Sequence, residues 1–144
     1  MDGVAKDIFH DTVRRALEAD GWVITEDPLT LKFGEQSVFV DLGAEAPMEA
    51  ERAGQKIAVE VKSFVSVSPV TDLERALGQY LFYRVLLQNQ RGNVPLYLAL
   101  RATAYKRVFN SLDGQRLLSE LKLSLLLFDE TTERITEWIE PSTP

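Results

Sequence analysis

The stretch from Ile57 to Leu100 constrains this chain more than any other. An apolar run, Ile57 to Val65, is followed by a helical pattern from Ser68-Pro69 to about Gln90, and then by a second apolar run, Val94 to Leu100. Short apolar runs rich in Val, Ile and Leu, bounded by turn residues, read as buried strands. Leu73, Leu77, Tyr80, Leu81 and Val85 mark the buried stripe of the helix between them. Two starts compete for that helix. Ser68 with Pro69 at the first helical position is one, and Thr71-Asp-Leu-Glu74, a capping-box pattern, is the other. Gly92-Asn93 ends the segment.

The flanking sequence fills in around this unit. Residues 5–20 read as a helix, with Ile8, Phe9, Thr12, Val13, Ala16 and Leu17 at helical spacing and Gly21 as its stop. Trp22 to Thr25 is a short strand and Asp27-Pro28 a turn. Leu29 to Phe33 and Val38 to Leu42 are strands joined by a hairpin connection at Gly34-Glu-Gln. Ala44 to Gln55, rich in Ala and Glu, is expected to form a loop with a short helix. Thr103 to Leu121 is helical in one or two pieces, with a break at Asp113-Gly114. Leu123 to Phe128 and Arg134 to Ile139 are strands about a turn at Asp129, and Pro141 to Pro144 is a loose tail. The order α-β-β-β-β-α-β-α-β-β predicts an α/β (α+β) fold, a mixed β-sheet flanked by helices. No repeat or linker interrupts it, so residues 1–144 are expected to form one domain.

Composition excludes several chemistries. There is no cysteine, so disulfides, thiol nucleophiles and Cys-type zinc sites are out. His10 is the single histidine, which excludes a His-rich metal centre. No P-loop, GxGxxG or nucleophile-elbow motif is present. The first residues lack a secretory apolar region and no apolar run is long enough to span a bilayer, which favours the cytoplasm. The net charge of −6 and the lack of a basic stripe predict weak binding to DNA by the chain alone. What chemistry remains must come from carboxylates, lysine and a hard metal.

Asp41 ends the run Ser37-Val-Phe-Val-Asp41, and Glu60 and Lys62 lie within Ile57-Ala-Val-Glu60-Val-Lys62. Residues two apart on a strand share a face. Charged groups flanked by Val and Ile are costly unless paired or metal-bound. Two carboxylates on adjacent strand ends, with a backbone carbonyl such as that of Val61, can chelate Mg2+. Lys62 can then orient a water or offset charge on a phosphoryl group. Against this stands a plain Glu60–Lys62 ion pair on a half-exposed strand, worth ~0–1 kcal/mol.

Other residues have two readings each. Gln79, on the long helix, can reach the site or lie exposed, and Gly78 can serve close helix–sheet packing or be a tolerated glycine. His10 is a further site candidate or a hydrogen-bonded structural histidine. Glu45 is a possible third ligand or a loop carboxylate. Glu18 reads as solvated, and Tyr80, Phe82 and Tyr83 read as core or interface.

The blocks Asp7-Ile-Phe-His10, Gly21-Trp22, Asp27-Pro28-Leu29, Val40-Asp-Leu-Gly-Ala-Glu45, Ile57-Ala-Val-Glu-Val-Lys-Ser-Phe64, Ala76-Leu-Gly-Gln-Tyr80 and Tyr83-Arg84 together resemble the XisH-type fdxN-element excision controlling factors of cyanobacteria and relatives. The resemblance runs from about residue 5 to Trp138. It implies a restriction-endonuclease-like fold of the PD-(D/E)xK kind, in which Asp41, Glu60 and Lys62 match the motif and Gln79 matches a helix position often used. The proline usual before the aspartate is Val40 here. The resemblance further implies a role in excision of a DNA element, with a companion controlling factor and a site-specific recombinase as partners. A homodimer is consistent with such folds. Two functions follow: an Mg2+-dependent endonuclease, or a non-catalytic interaction module of the same fold that binds the companion factor or the recombinase.

Overall fold

The computed structural model describes residues 6–46 and 54–141. In chain order these form α1 (His10–Ala19), β1 (Val23–Glu26), β2 (Leu29–Phe33), β3 (Gln36–Val40), β4 (Leu42–Glu45) and β5 (Lys56–Val61). They continue with α2 (Pro69–Arg91), β6 (Leu96–Arg101), α3 (Ala102–Phe109), α4 (Leu112–Glu120), β7 (Leu125–Asp129) and β8 (Arg134–Ile139). Six strands form one sheet in the order β1-β4-β5-β6-β7-β8, while β2 and β3 pair with each other as a second sheet. The β5–β6 and β6–β7 pairs are parallel, and the remaining pairs of the large sheet are antiparallel. The mixed sheet flanked by helices is therefore the observed architecture.

Period-two alternation divides the sheet between two cores. Ala58, Leu98, Leu100, Leu125 and Leu127 face α2, α3, α4 and the β2–β3 hairpin. Val59, Val61, Tyr97, Ala99, Leu126 and Phe128 face the other way, toward Val13 and Leu17 of α1 and toward Trp22. Because both faces are covered, β5, β6 and β7 read as near-continuous apolar runs rather than alternating ones.

Several boundaries differ from the sequence expectation, each for a local reason. Helix α1 starts at His10 because Asp7 makes a turn before it, its carboxylate accepting the Phe9 N–H at 2.9 Å and its carbonyl the His10 N–H at 3.0 Å. Ser68 wins the contest to start α2, its hydroxyl accepting the Thr71 N–H at 3.2 Å with Pro69 following. On α2, Ala76, Tyr80 and Leu87 are the buried residues, whereas Val85 is 56% exposed. Val85 lies five residues beyond Tyr80, about 140° further around the helix.

The break between the two late helices falls at Asn110-Ser111, not at Asp113-Gly114. Ser111 caps α4 through the Gly114 N–H at 3.0 Å. Gly114 is instead a packing glycine, since a Cβ there would come within 2.6 Å of the Phe109 Cα. The expected strand Val38–Leu42 is split at Asp41, and Ala44 and Glu45, expected in a loop, belong to β4. Strand β5 stops at Val61 rather than Val65, because Arg101 and Arg107 draw the following backbone away. They donate to the Ser63 carbonyl at 3.0 Å and the Phe64 carbonyl at 2.7 Å, respectively. The short helix expected between Ala44 and Gln55 falls on residues 47–53, outside the described residues, as do residues 1–5 and 142–144.

Candidate functional site

Asp41 occupies the seam where the chain leaves the hairpin and enters the large sheet. It belongs to neither β3 nor β4. Its N–H donates to the Glu60 carboxylate at 3.2 Å rather than to a ladder partner, and its own Oδ2 accepts the Val61 N–H at 2.7 Å. Each carboxylate thus holds the other's strand in place. Glu60, near the end of β5, shares the α2-facing side of the sheet with Ala58. Lys62 lies just beyond the strand, yet its N–H still reaches the Ala99 carbonyl at 3.0 Å, and its Nζ stands 3.4 Å from Glu60 Oε2.

Glu60 is only 4% exposed. Burial, reinforced by the nearby Asp41 charge, pushes its carboxyl up to about 8, and Lys62 offsets only part of this. The pair therefore holds less than its full negative charge at neutral pH unless a further cation is present. The same two carboxylates act outward on Tyr83. Its hydroxyl is pushed up to about 12, by burial first and then by Glu60 and Asp41.

A cavity of about 200 Å³ opens here, with Asp41, Glu60, Val61, Lys62, Gln79 and Tyr83 on its wall. The structure thus brings Asp41, Glu60, Val61, Lys62 and Gln79 together. Tyr83 joins them, although the sequence reading assigned it to core or interface. The signal that finds it is its place four residues after Gln79 on one helix face. Asp7 was also missed. It lines the cavity, and its carboxylate accepts the Ser63 N–H at 2.9 Å, fixing the backbone next to Lys62.

The other candidates fall elsewhere. Glu45 sits opposite Lys56, four residues along from Asp41 and roughly 13 Å away at strand rise, outside the cavity wall. His10 is buried beside the site. Its Nε2 is 2.8 Å from Asp27 Oδ1, and its Nδ1 is 3.6 Å from Asp41 Oδ1 without a hydrogen bond. Burial works to raise the Asp27 carboxyl, but Arg14 at 2.6 Å and His10 overcome it and hold it below the ordinary carboxylate range. Glu18 is exposed as expected, 3.8 Å from Arg14. Tyr80 is core: its hydroxyl donates to the Leu96 carbonyl and accepts the Ser124 N–H. Phe82 stacks edge-on against Phe33 at the surface.

Among the described residues no three His, Asp or Glu side chains form a metal-binding group. The donors at the seam are two carboxylates and a backbone carbonyl, all hard oxygens. They fit an ion such as Mg2+ that keeps several waters in its shell, and the poorly compensated charge of the pair fits a cation. Among the described residues no helix is long and apolar enough to cross a membrane.

Comparison with known proteins adds three findings. The family model described as XisH protein matches residues 3–136. The crystal structure of an XisH family protein from Nostoc punctiforme is 38% identical, with a TM-score of 0.84, covering 93% of this chain and 100% of that one. An fdxN element excision controlling factor protein from Anabaena variabilis is 39% identical, with a TM-score of 0.83, covering 94% and 100%. No curated protein matches the chain.

Proposed function

The chain belongs to the XisH family, and from that premise we propose that it is a controlling factor in excision of a DNA element, acting through an Mg2+-dependent phosphodiester-cleaving site on a restriction-endonuclease-like core. The observation that carries this reading is the Asp41–Glu60 pair. A carboxylate buried to 4% exposure beside a second carboxylate is costly to the fold. Such a pair is readily explained as a site for a divalent cation.

Asp41, Glu60 and the Val61 carbonyl would hold Mg2+, which when bound would neutralise phosphoryl oxygens and acidify a water. Lys62, 3.4 Å from Glu60, supplies positive charge for the attacking water or the phosphoryl oxygens. The Gln79 amide has no partner among the described residues and is free to bind water or phosphate. The Tyr83 hydroxyl, held protonated, offers one more donor on the same wall.

The net charge of −6 supports a second reading, a non-catalytic module that binds a companion controlling factor or a site-specific recombinase. In either case DNA binding by the chain alone is weak and a partner supplies the missing cations; a homodimer is compatible with both readings. A cytoplasmic location accords with such a role. The test is a cleavage assay with Mg2+ or EDTA, on the wild type and Asp41→Asn, with and without the companion factor. Cleavage that needs both Mg2+ and Asp41 supports the nuclease. Its absence in every mixture supports the interaction module.

A further inference from the structure

A second cavity, of about 570 Å³, adjoins the first and shares Asp7, Lys62 and Gln79 with it. Its helix wall is one face of α2, carrying Arg75, Gly78 and Gln79. Gly78 is the informative residue. Glycine inside a helix costs ~0.5–1 kcal/mol relative to alanine. Close packing is the usual reason for accepting that cost, but a Cβ at Gly78 would meet no atom within 4 Å. Its φ is not positive either, so the backbone does not require glycine. What the missing side chain preserves is open space in the groove, directly against the helix.

The remaining wall groups are polar and of both signs, the cations Arg75 and Lys62 beside the carboxylates Asp7, Asp72 and Glu74. Arg75 and Gln79 have no hydrogen bond or ion pair to any described residue. Of the three carboxylates on the wall, Asp7 is engaged by the N–H groups of Phe9 and Ser63 and Asp72 by that of Ser66, while Glu74 has no partner among the described residues. A free guanidinium, a free amide, the Lys62 ammonium and the Glu74 carboxylate, an acceptor for base N–H groups, therefore face the groove. They suit a phosphate and the hydrogen-bonding edge of a base. The volume suits a nucleotide-sized ligand. A long duplex footprint would need many clustered cations, which a chain of net charge −6 lacks.

We propose that this groove holds an unpaired nucleotide, so that the substrate is a single-stranded end, flap or gap in DNA rather than continuous duplex. The inference rests on the phosphodiester-site reading above. It requires the strand to pass along Gly78 and present its phosphate at Lys62, as enzymes that extrude a nucleotide do with their pockets.

The experiment is fluorescence anisotropy in EDTA with a short labelled oligothymidylate and, separately, a duplex of equal length. The proteins are the wild type, Gly78→Leu and Gly78→Ala. Single strand should bind about tenfold or more tighter than duplex, and Gly78→Leu should lose about tenfold. The urea midpoint of Gly78→Ala should stay at or above that of wild type, since a better helix former enters open space. If Gly78→Leu unfolds early, a loss of a few-fold in Gly78→Ala carries the same result. Equal affinity for duplex, or stable variants with undiminished binding, would overturn the proposal. The cleavage reading is scored apart. Gly78-dependent binding of a strand that Mg2+ leaves intact keeps the groove and rejects the nuclease, whereas duplex cleaved equally by wild type and Gly78→Leu does the reverse.

Discussion

Replacing Glu60 with glutamine should change how the stability of the whole protein depends on pH. The carboxyl titrates near 4.5 in an ordinary setting and at about 8 in the folded protein. Below pH 4.5 both folded and unfolded chains hold the proton, and burial of the neutral acid costs little. As pH rises from 4.5 to 8 the unfolded chain gives up its proton while the folded one retains it, so stability falls. Above 8 both are ionised and the loss is complete. At 1.36 kcal/mol per unit, the gap of about 3.5 units amounts to on the order of 5 kcal/mol. With the side chain almost entirely buried, solvent screening removes little of this. Glutamine cannot ionise, so subtracting Glu60→Gln from wild type cancels most other titrating groups. Urea unfolding in EDTA at a series of pH values should show the difference falling by several kcal/mol between pH 4.5 and 8.5, with the variant the more stable at the alkaline end. Mg2+ at ten times its dissociation constant should return ~1.4 kcal/mol to wild type and little to the variant. A flat difference across that range would mean that Lys62 fully compensates Glu60, and the electrostatic case for a cation at the seam would fail.

Asp41→Asn should leave the EDTA form as stable as wild type or more so, because it relieves the repulsion, and should abolish the Mg2+ response. A loss of ~2 kcal/mol or more in EDTA would instead mark Asp41 as chiefly the acceptor for Val61 N–H. Tyr80→Phe removes the partner of both the Leu96 carbonyl and the Ser124 N–H. It should lower stability by ~2–3 kcal/mol, and an unchanged thermal midpoint would refute that assignment. Gly114→Ala should destabilise by ~1–3 kcal/mol despite better helix propensity, because its Cβ meets the Phe109 backbone. Stabilisation in the same urea assay would show that α3 and α4 can shift apart freely.

The Glu60–Lys62 relation was legible because strand spacing alone puts the two on one face, and β5 obeys it. The split at Asp41 was not. Val38 to Leu42 is apolar on both sides of the aspartate, and the break is made by Glu60, nineteen positions on, taking the Asp41 N–H. Strand β5 ends early for a similar long-range reason, the capture of the Ser63 and Phe64 carbonyls by Arg101 and Arg107. Nothing near residue 62 announces it. Sequence marks β2 and β3 as a hairpin but not as a sheet of their own, since local pairing does not say which strands will extend it. At the start of α4, Asn110-Ser111 precedes the expected break at Asp113-Gly114 by three residues. The N-cap chemistry of Ser111 prevailed over Asp113-Gly114, whose glycine answers to packing. Tyr83 could have been found by projecting α2 from Gln79, whereas Glu45 misled because nearness in sequence along a strand becomes distance in space.

Helix α2 has 23 residues and so extends ~35 Å, while β5 and β6, six residues each, extend ~20 Å. The helix is too long for these strands to back it from end to end. Its C-terminal half is met by the hairpin: Phe82 against Phe33, the Gln90 amide bracketing both the N–H and the carbonyl of Lys32, and Arg91 donating to the Thr30 carbonyl at 3.2 Å while it also grips Glu26 of β1 at two points. The small sheet works as a shim, its place dictated by a length mismatch between helix and strands. Asp41 is the residue at which the chain crosses from shim to main sheet. How far α2 runs thus places the hairpin that leads into Asp41, and adding or deleting a helical turn there would strain the two bonds that tie Asp41 to Glu60 and Val61 with every site residue unchanged.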